Sequence, residues 1–338
     1  DSMVSGSSAP PAPELNPDER DRLATLRAAE SLSDLVALTG TDSEREAYRT
    51  ARREWTALRE RELAGCAPEE APRPNESPRP DGLPGNRVAV GDREFFVHGI
   101  THADTSAERA FLRGHVSQFL DRDAAVYCEQ GVRSMYFDDL PAVCEMDDLS
   151  WALRECERLG RQFPVAGGAG LAEFAASTVD DLAADVDSLA DRFRRGVFSF
   201  VESNSDCYGE GVSVALGELA SALLTSRVDA ATGDDYESFV RTRRAAEDPD
   251  ALAALQRYYE TTFLPQPVER EWLRRTDPEL ELLTHARNER MAAYAVYHAE
   301  DAAEVHLLAG AAHQPGITYY LERYREGAWS AEDFEFVG

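Results

Sequence analysis

The chain has 338 residues, 43% of them hydrophobic, enough for one large domain or two ordinary ones and for a buried core. Its 63 acidic and 35 basic residues give a formal net charge of -28, and every basic residue is arginine. Nothing here offers the basic stripe that neutralises phosphate, so a nucleic-acid partner is disfavoured. The balance instead describes the solvated carboxylate surface of a halophilic archaeal or bacterial protein. Cys66, Cys128, Cys144, Cys156 and Cys207 form no Cys-x-x-Cys pair. A disulfide framework or thiolate metal site is therefore not expected, and a reducing cytoplasm fits. No run of about 18 apolar residues exists, so no membrane span is expected. The start lacks the basic-then-apolar pattern of a signal peptide.

Residues 1–15 are rich in Ser, Pro and Gly and read as disordered. Asn16-Pro17-Asp18-Glu19 is a helix start, with Asn as N-cap and Pro in the first turn. That helix is expected to reach about Ala29, a short one follows to Gly40, and a third spans Thr41 to Ala64. Residues 66–85 hold six prolines and read as a linker, which makes residues 16–65 a helical appendage on a stiff tether. The main domain, residues 86–330, opens with two apolar strands about Gly91-Asp92, a β-hairpin signal. A helix from Thr105 to Leu120 and a buried strand, Ala124 to Cys128, complete a βαβ unit. Residues 138–195 look largely helical, with a glycine-rich loop at Gly167 to Gly170 that lacks the dinucleotide-binding spacing. A strand at Val197 to Val201 ending at Glu202 comes next. Helices are then expected over 212–226, 234–245 and 249–262, with Pro265 and Pro267 breaking the pattern. One long helix from Asp277 to Glu300 would align Leu283, Arg287, Met291, Tyr294 and His298 on one face. It feeds the strand Val305 to Ala309 and a closing helix from Ile317 to Arg325. The fold class expected is α/β: a central mixed, partly parallel sheet flanked by helices, with a large helical middle insertion.

Two strings organise the functional reading: Gly99-Ile-Thr-His102 and Gly310-Ala-Ala-His313. Each ends an apolar strand and precedes a helix. Glycine permits a sharp turn and close approach. The histidine then projects from the carboxyl edge of the sheet, where ligands bind in open α/β folds. Glu129 ends another strand. Arg287 sits in an otherwise apolar stripe, and a buried guanidinium needs a carboxylate or several carbonyls.

Four segments, "FFVHGITHADTS", "AAVYCEQGVR", "HARNERMAAY" and "VHLLAGAAHQPGI", together resemble the motifs of the TraB/PrgY/GumN/TIKI superfamily, in order, over about residues 86–325. The resemblance implies a TIKI-like α/β domain with a helical middle, more distantly similar to the erythromycin-esterase and ChaN-like folds. Some members are metal-dependent proteases favouring manganese or cobalt, and one bacterial member dampens peptide-pheromone signalling. Carried over by position, the functional residues would be Gly99, His102, Glu129, Arg287, Asn288, Gly310 and His313. The chain departs from the family in Cys128-Glu129-Gln130, where a Glu-Leu-Asp style is usual, and lacks the C-terminal membrane helices of some archaeal members.

Two histidines and a carboxylate at strand ends suit a divalent metal with positions left for water and substrate, so His102, Glu129 and His313 are the candidate ligands. Manganese or cobalt is favoured by the resemblance, with zinc or iron also compatible with imidazole. The metal would lower the pKa of bound water. Glu129, His102, His313 and Arg287 are the candidate catalytic residues. Arg287, Asn288, Gly99 and Gly310 would line the substrate. Glu129 has a second reading as the buried partner of Arg287, and both hold if Arg287 orients a ligand carboxylate. His98 and His306 lie within strands and read as core. His115, His285 and His298 read as packing or surface residues. Cys128 reads as an inert thiol, Glu202 as a further carboxylate, and Asp104 as a helix cap or site contact.

The function expected is a metal-dependent hydrolase, a peptidase, acting on a peptide or small-molecule substrate. Two alternatives stay open. One is a peptide-sequestering protein without catalysis. The other is a metal-free esterase-like hydrolase using His102 and Glu129 as acid and base. Composition generates one prediction directly: self-repulsion should make folding depend on high ionic strength. Dialysis to low salt, followed by circular dichroism, should show loss of structure and a falling melting temperature. An unchanged fold would refute the halophilic reading.

Overall fold

The computed structural model of the chain describes residues 14–65, 82–158, 236–276, 278–299 and 301–330. The expected strand at Val197 to Val201, Glu202, the glycine loop and the helix over 212–226 lie outside the described residues.

Among the described residues five strands form one mixed sheet in the order β1-β2-β5-β3-β4. They are β1 (Asn86–Val90), β2 (Arg93–Ile100), β3 (Ala125–Cys128), β4 (Val143–Glu145) and β5 (Glu304–Gly310). β1 and β2 are the expected antiparallel hairpin; β2, β3 and β4 run parallel to their neighbours with β5 in the middle. The register sets Ile100 opposite Gly310 and Cys128 opposite Leu308, so the carboxyl ends of β2, β5 and β3 lie level.

Side chains alternate across the sheet, and each face finds its own helices. Phe95 and Val97 of β2 and Val305, Leu307 and Ala309 of β5 turn to one side. There they pack with Met291, Ala292, Ala295 and Val296 of α11 (His285–His298) and with Ile317 and Leu321 of α12 (Gln314–Arg325). Ile100, Val126 and Leu308 turn to the other side. They meet Leu112, Val116 and Phe119 of α4 (Ser106–Leu120), together with Leu252, Leu255 and Tyr259 of α8 (Leu252–Thr262). The apolar residues of α4 recur at helical spacing, which is why that face docks. His98 and His306 share this second face. They hydrogen-bond to each other at 2.8 Å, between the rings of Phe96 and Phe119.

The remaining helices are α1 (Pro17–Arg27), α2 (Leu32–Thr39), α3 (Glu44–Gly65), α5 (Val132–Tyr136), α6 (Leu149–Arg158), α7 (Tyr236–Glu247), α9 (Gln266–Thr276) and α10 (Pro278–Leu283). Capping boxes start α1 at Asn16 and α2 at Ser31. The first three helices do not stand off on a tether. Leu26, Leu35, Ala51 and Trp55 share one core with Leu264 and Val268 beside and within α9. Tyr48 stacks on Trp272 and its hydroxyl donates to buried Glu269 at 2.7 Å. The end of the proline-rich segment is also structural, since Leu83 is buried and Pro84 offers its carbonyl to His98 and Gln256.

Three further expectations change. Residues 143–145, inside a stretch that reads as helical, form β4; pairing with β3 overrides the local pattern. Pro265 and Pro267 do not merely interrupt: they open α9, because proline suits the first turn of a helix. The long helix from Asp277 is two helices broken at Thr284, so Leu283 ends α10 and Arg287 lies in the first turn of α11.

Candidate active site

The sheet brings its level strand ends to one place. His102 follows β2, Glu129 follows β3, and His313 lies three residues beyond β5 at the start of α12. His102 Nε2 is 3.2 Å from Glu129 Oε2, and His313 Nε2 is 3.6 Å from Glu129 Oε1. Arg287 reaches in from α11 and donates through Nη2 to Glu129 Oε1 at 2.8 Å. The backbone N–H of Gly310, the last residue of β5, donates to Glu129 Oε2 at 2.8 Å. His102, Glu129, His313 and Arg287 therefore form one constellation. Of its members His102 opens furthest to solvent, its side chain 37% exposed against 12% for His313 and 8% for Glu129.

Asn288 does not face the cleft. It is buried; its Oδ1 accepts from His313 Nδ1 at 2.7 Å, and its Nδ2 donates to Gln266 Oε1 at 3.1 Å. The amide orientation leaves His313 its proton on Nδ1 and a lone pair on Nε2, aimed toward Glu129. Gly99 and Gly310 serve by absence of a side chain. A Cβ on Gly310 would come within 2.7 Å of His102 Nε2, and one on Gly99 within 2.6 Å of Gln314 Oε1. His102 and Asp104 have positive φ, 57° and 50°. Each such non-glycine residue costs about 1–2 kcal/mol, so the turn after β2 is held against its own preference.

Asp148 is the member that sequence reading missed. It is fully buried, accepts from Arg287 Nε at 2.6 Å and caps the N–H of Gln130 at 3.1 Å. Arg287 is thus shared between Glu129 and Asp148. In the sequence, Asp147-Asp148 looks like any acidic helix start, and only the fold distinguishes it. Gln266 and His285 complete the support behind His313, with His285 Nδ1 3.3 Å from Gln266 Oε1.

Burial opposes charge throughout this cluster, and the partners decide the outcome. For Glu129, the charges of His102 and Arg287 outweigh burial and hold the carboxyl well below its usual range. Burial would lower His102, but the adjacent carboxylate of Glu129 more than compensates and raises it. Burial takes His313 down to about 4, so this ring is neutral at ordinary pH. Burial pushes Asp148 up, with Arg287 pulling the other way.

The other candidates have structural partners. His98 and His306 are the buried pair described above, and burial takes them to about 3 and about 4. His115 Nδ1 lies 2.9 Å from the Phe111 carbonyl, and His298 packs on Tyr294. Burial pushes the Cys128 thiol well up, away from the reactive thiolate. Asp104 does not cap α4; Thr105 does, and Asp104 pairs with Arg109 at the rim. No family model, curated protein or solved structure matches this chain.

Two predictions follow from this geometry. Because Glu129 is held below 4.5, its contribution to stability is full above that value and is lost as pH falls through its folded pKa. Denaturation in high salt should show Glu129→Gln losing less stability than the parent between pH 5 and about 2. Gly310→Ala should displace His102 from Glu129 while costing no more than about 1–3 kcal/mol, the usual range for overpacking. A crystal structure of that variant with His102 unmoved would contradict the assignment.

Proposed function

We propose that the cleft is the active site of a metal-dependent hydrolase, a peptidase in the manner the resemblance to the TIKI-like proteins implies. One observation carries this reading: His102 and His313, far apart in sequence, approach the two oxygens of one buried carboxylate at 3.2 and 3.6 Å.

The donor set supports a divalent cation. Two atoms bound to one such ion lie roughly 3–3.5 Å apart, and the two approaches here are 3.2 and 3.6 Å. Glu129 Oε2 already receives His102 and Gly310, and Oε1 receives Arg287. What faces His313 is the remaining capacity of Oε1, opposite an imidazole lone pair, an arrangement of two acceptors that a cation would satisfy. Charge points the same way. Glu129 and Asp148 share the guanidinium of Arg287, one positive charge between two buried carboxyl groups. Among the described residues no three His, Cys, Asp or Glu side chains are yet gathered as a bound ion would gather them.

His313, Glu129 and His102 would hold the metal, which as a Lewis acid supplies an activated water. Asn288 fixes the His313 tautomer. Arg287 keeps Glu129 ionised and in place, and its position beside the carboxylate suits it to stabilise an oxyanion. His102, exposed and hydrogen-bonded to Glu129, also supports the metal-free reading, in which this pair works as general base and acid.

Metal analysis of protein purified in high salt without added metal separates the two readings, and peptide turnover separates either from a peptide-sequestering protein. His102→Ala, His313→Ala and Glu129→Gln should each lower metal content and reduce turnover by about 10²–10⁴-fold, with circular dichroism unchanged. Turnover intact in His313→Ala would end the proposal.

A further inference from the structure

Glu108 reads in the sequence as an ordinary first-turn acid of α4, and its backbone N–H does take the cap from Thr105 Oγ1 at 3.2 Å. Its side chain does something else. It is buried, and among the described residues it makes no ion pair. Its partners are three uncharged donors: the Thr101 N–H at 2.8 Å, the Thr101 hydroxyl at 2.7 Å and the Tyr136 hydroxyl at 2.7 Å. The Tyr136 hydroxyl in turn accepts from the Asp104 N–H at 3.0 Å, and Thr101 Oγ1 accepts from the Ala103 N–H at 3.2 Å.

The backbone N–H groups on both sides of His102 therefore end on one carboxylate, directly or through one hydroxyl. This is the turn whose residues 102 and 104 hold positive φ without glycine. Tyr136 closes α5, the helix that begins three residues after Glu129. The same hub thus ties the segment carrying His102 to the segment carrying Glu129. A neutral core residue would fill the space at lower cost than a buried carboxylate without a counter-charge. What a carboxylate adds is acceptor capacity on both oxygens; glutamine has one acceptor oxygen and turns donors toward the other side.

We propose that Glu108 is a positioning residue of the cleft, which holds the left-handed turn that aims His102 at Glu129. It rests on the reading of His102 as a working group only for its consequence; the positioning itself is measurable without metal or substrate.

The test uses the full chain in high salt, as Glu108→Gln and Tyr136→Phe. In Glu108→Gln, amide hydrogen exchange at Thr101, Ala103 and Asp104 should rise at least tenfold, with exchange in β5 and α11 unchanged. The imidazole N–H resonance of His102 bonded to Glu129 should be lost or shifted. Tyr136→Phe should raise exchange at Asp104, and the double variant should show no more than Glu108→Gln alone, since both act through one hub. Any peptide turnover should fall in kcat with KM held. Unchanged exchange at the three amides, or a uniform rise across the sheet with the His102 resonance intact, overturns the proposal. If Glu108→Gln does not fold, unchanged exchange at Asp104 in Tyr136→Phe overturns it alone. Absence of turnover with the exchange pattern as expected would refute the hydrolase reading and leave the positioning role standing.

Discussion

A carboxylate removed from water must have its oxygens bonded, and Glu129 imposes that requirement on the rest of the domain. Satisfying it calls on three parts of the chain: the end of β5 through the Gly310 N–H, the turn after β2 through His102, and the start of α11 through Arg287. Arg287 then needs Asp148 at the start of α6. Each group is placed by an element whose other face is ordinary hydrophobic packing, so the polar cluster and the core specify one another. Losing any one partner would strand a charge the interior cannot solvate.

The back wall of the cleft reaches further than the sheet. His313 is set by Asn288, and Asn288 by Gln266 at the start of α9. The helix carrying Gln266 is in turn clasped by the three N-terminal helices, through the Tyr48 ring on Trp272, the Tyr48–Glu269 hydrogen bond and the Leu32 N–H on Glu271 at 2.6 Å. The N-terminal residues, which read as a separate attachment, thus stand behind the His313 side of the site.

Three of the strands were legible because β2, β3 and β5 are short apolar runs whose ends carry glycine or a carboxylate. The same signals located His102, Glu129 and His313, and the lone guanidinium in an apolar stripe located Arg287. What stayed hidden depends on tertiary partners. Asp148 directly precedes α6 and Glu108 sits in the first turn of α4, where a capping role explains them fully until burial is known. Gln266 and Asn288 are neutral amides without periodicity of their own. β4 is three residues long and exists only through its pairing with β3. The break at Thr284 comes between two segments of good helix formers, and its dihedral angles, φ -116 and ψ -83, have no local signal.

The position of β5 sets a timetable for the molecule. β2 and β3 do not pair with each other; each pairs with β5, which is made roughly 200 residues after β2. At ordinary translation rates that gap lasts about 10–40 s. Throughout it, the facing edges of β2 and β3 have no strand between them, and open edges invite pairing with other chains. The nascent protein must therefore keep two strand edges apart and unclaimed until residues 304–310 arrive. His102 and Glu129 are synthesised early, but the N–H of Gly310, the guanidinium of Arg287 and the ring of His313 come late. The cluster around Glu129 is complete only in the step that seals the sheet.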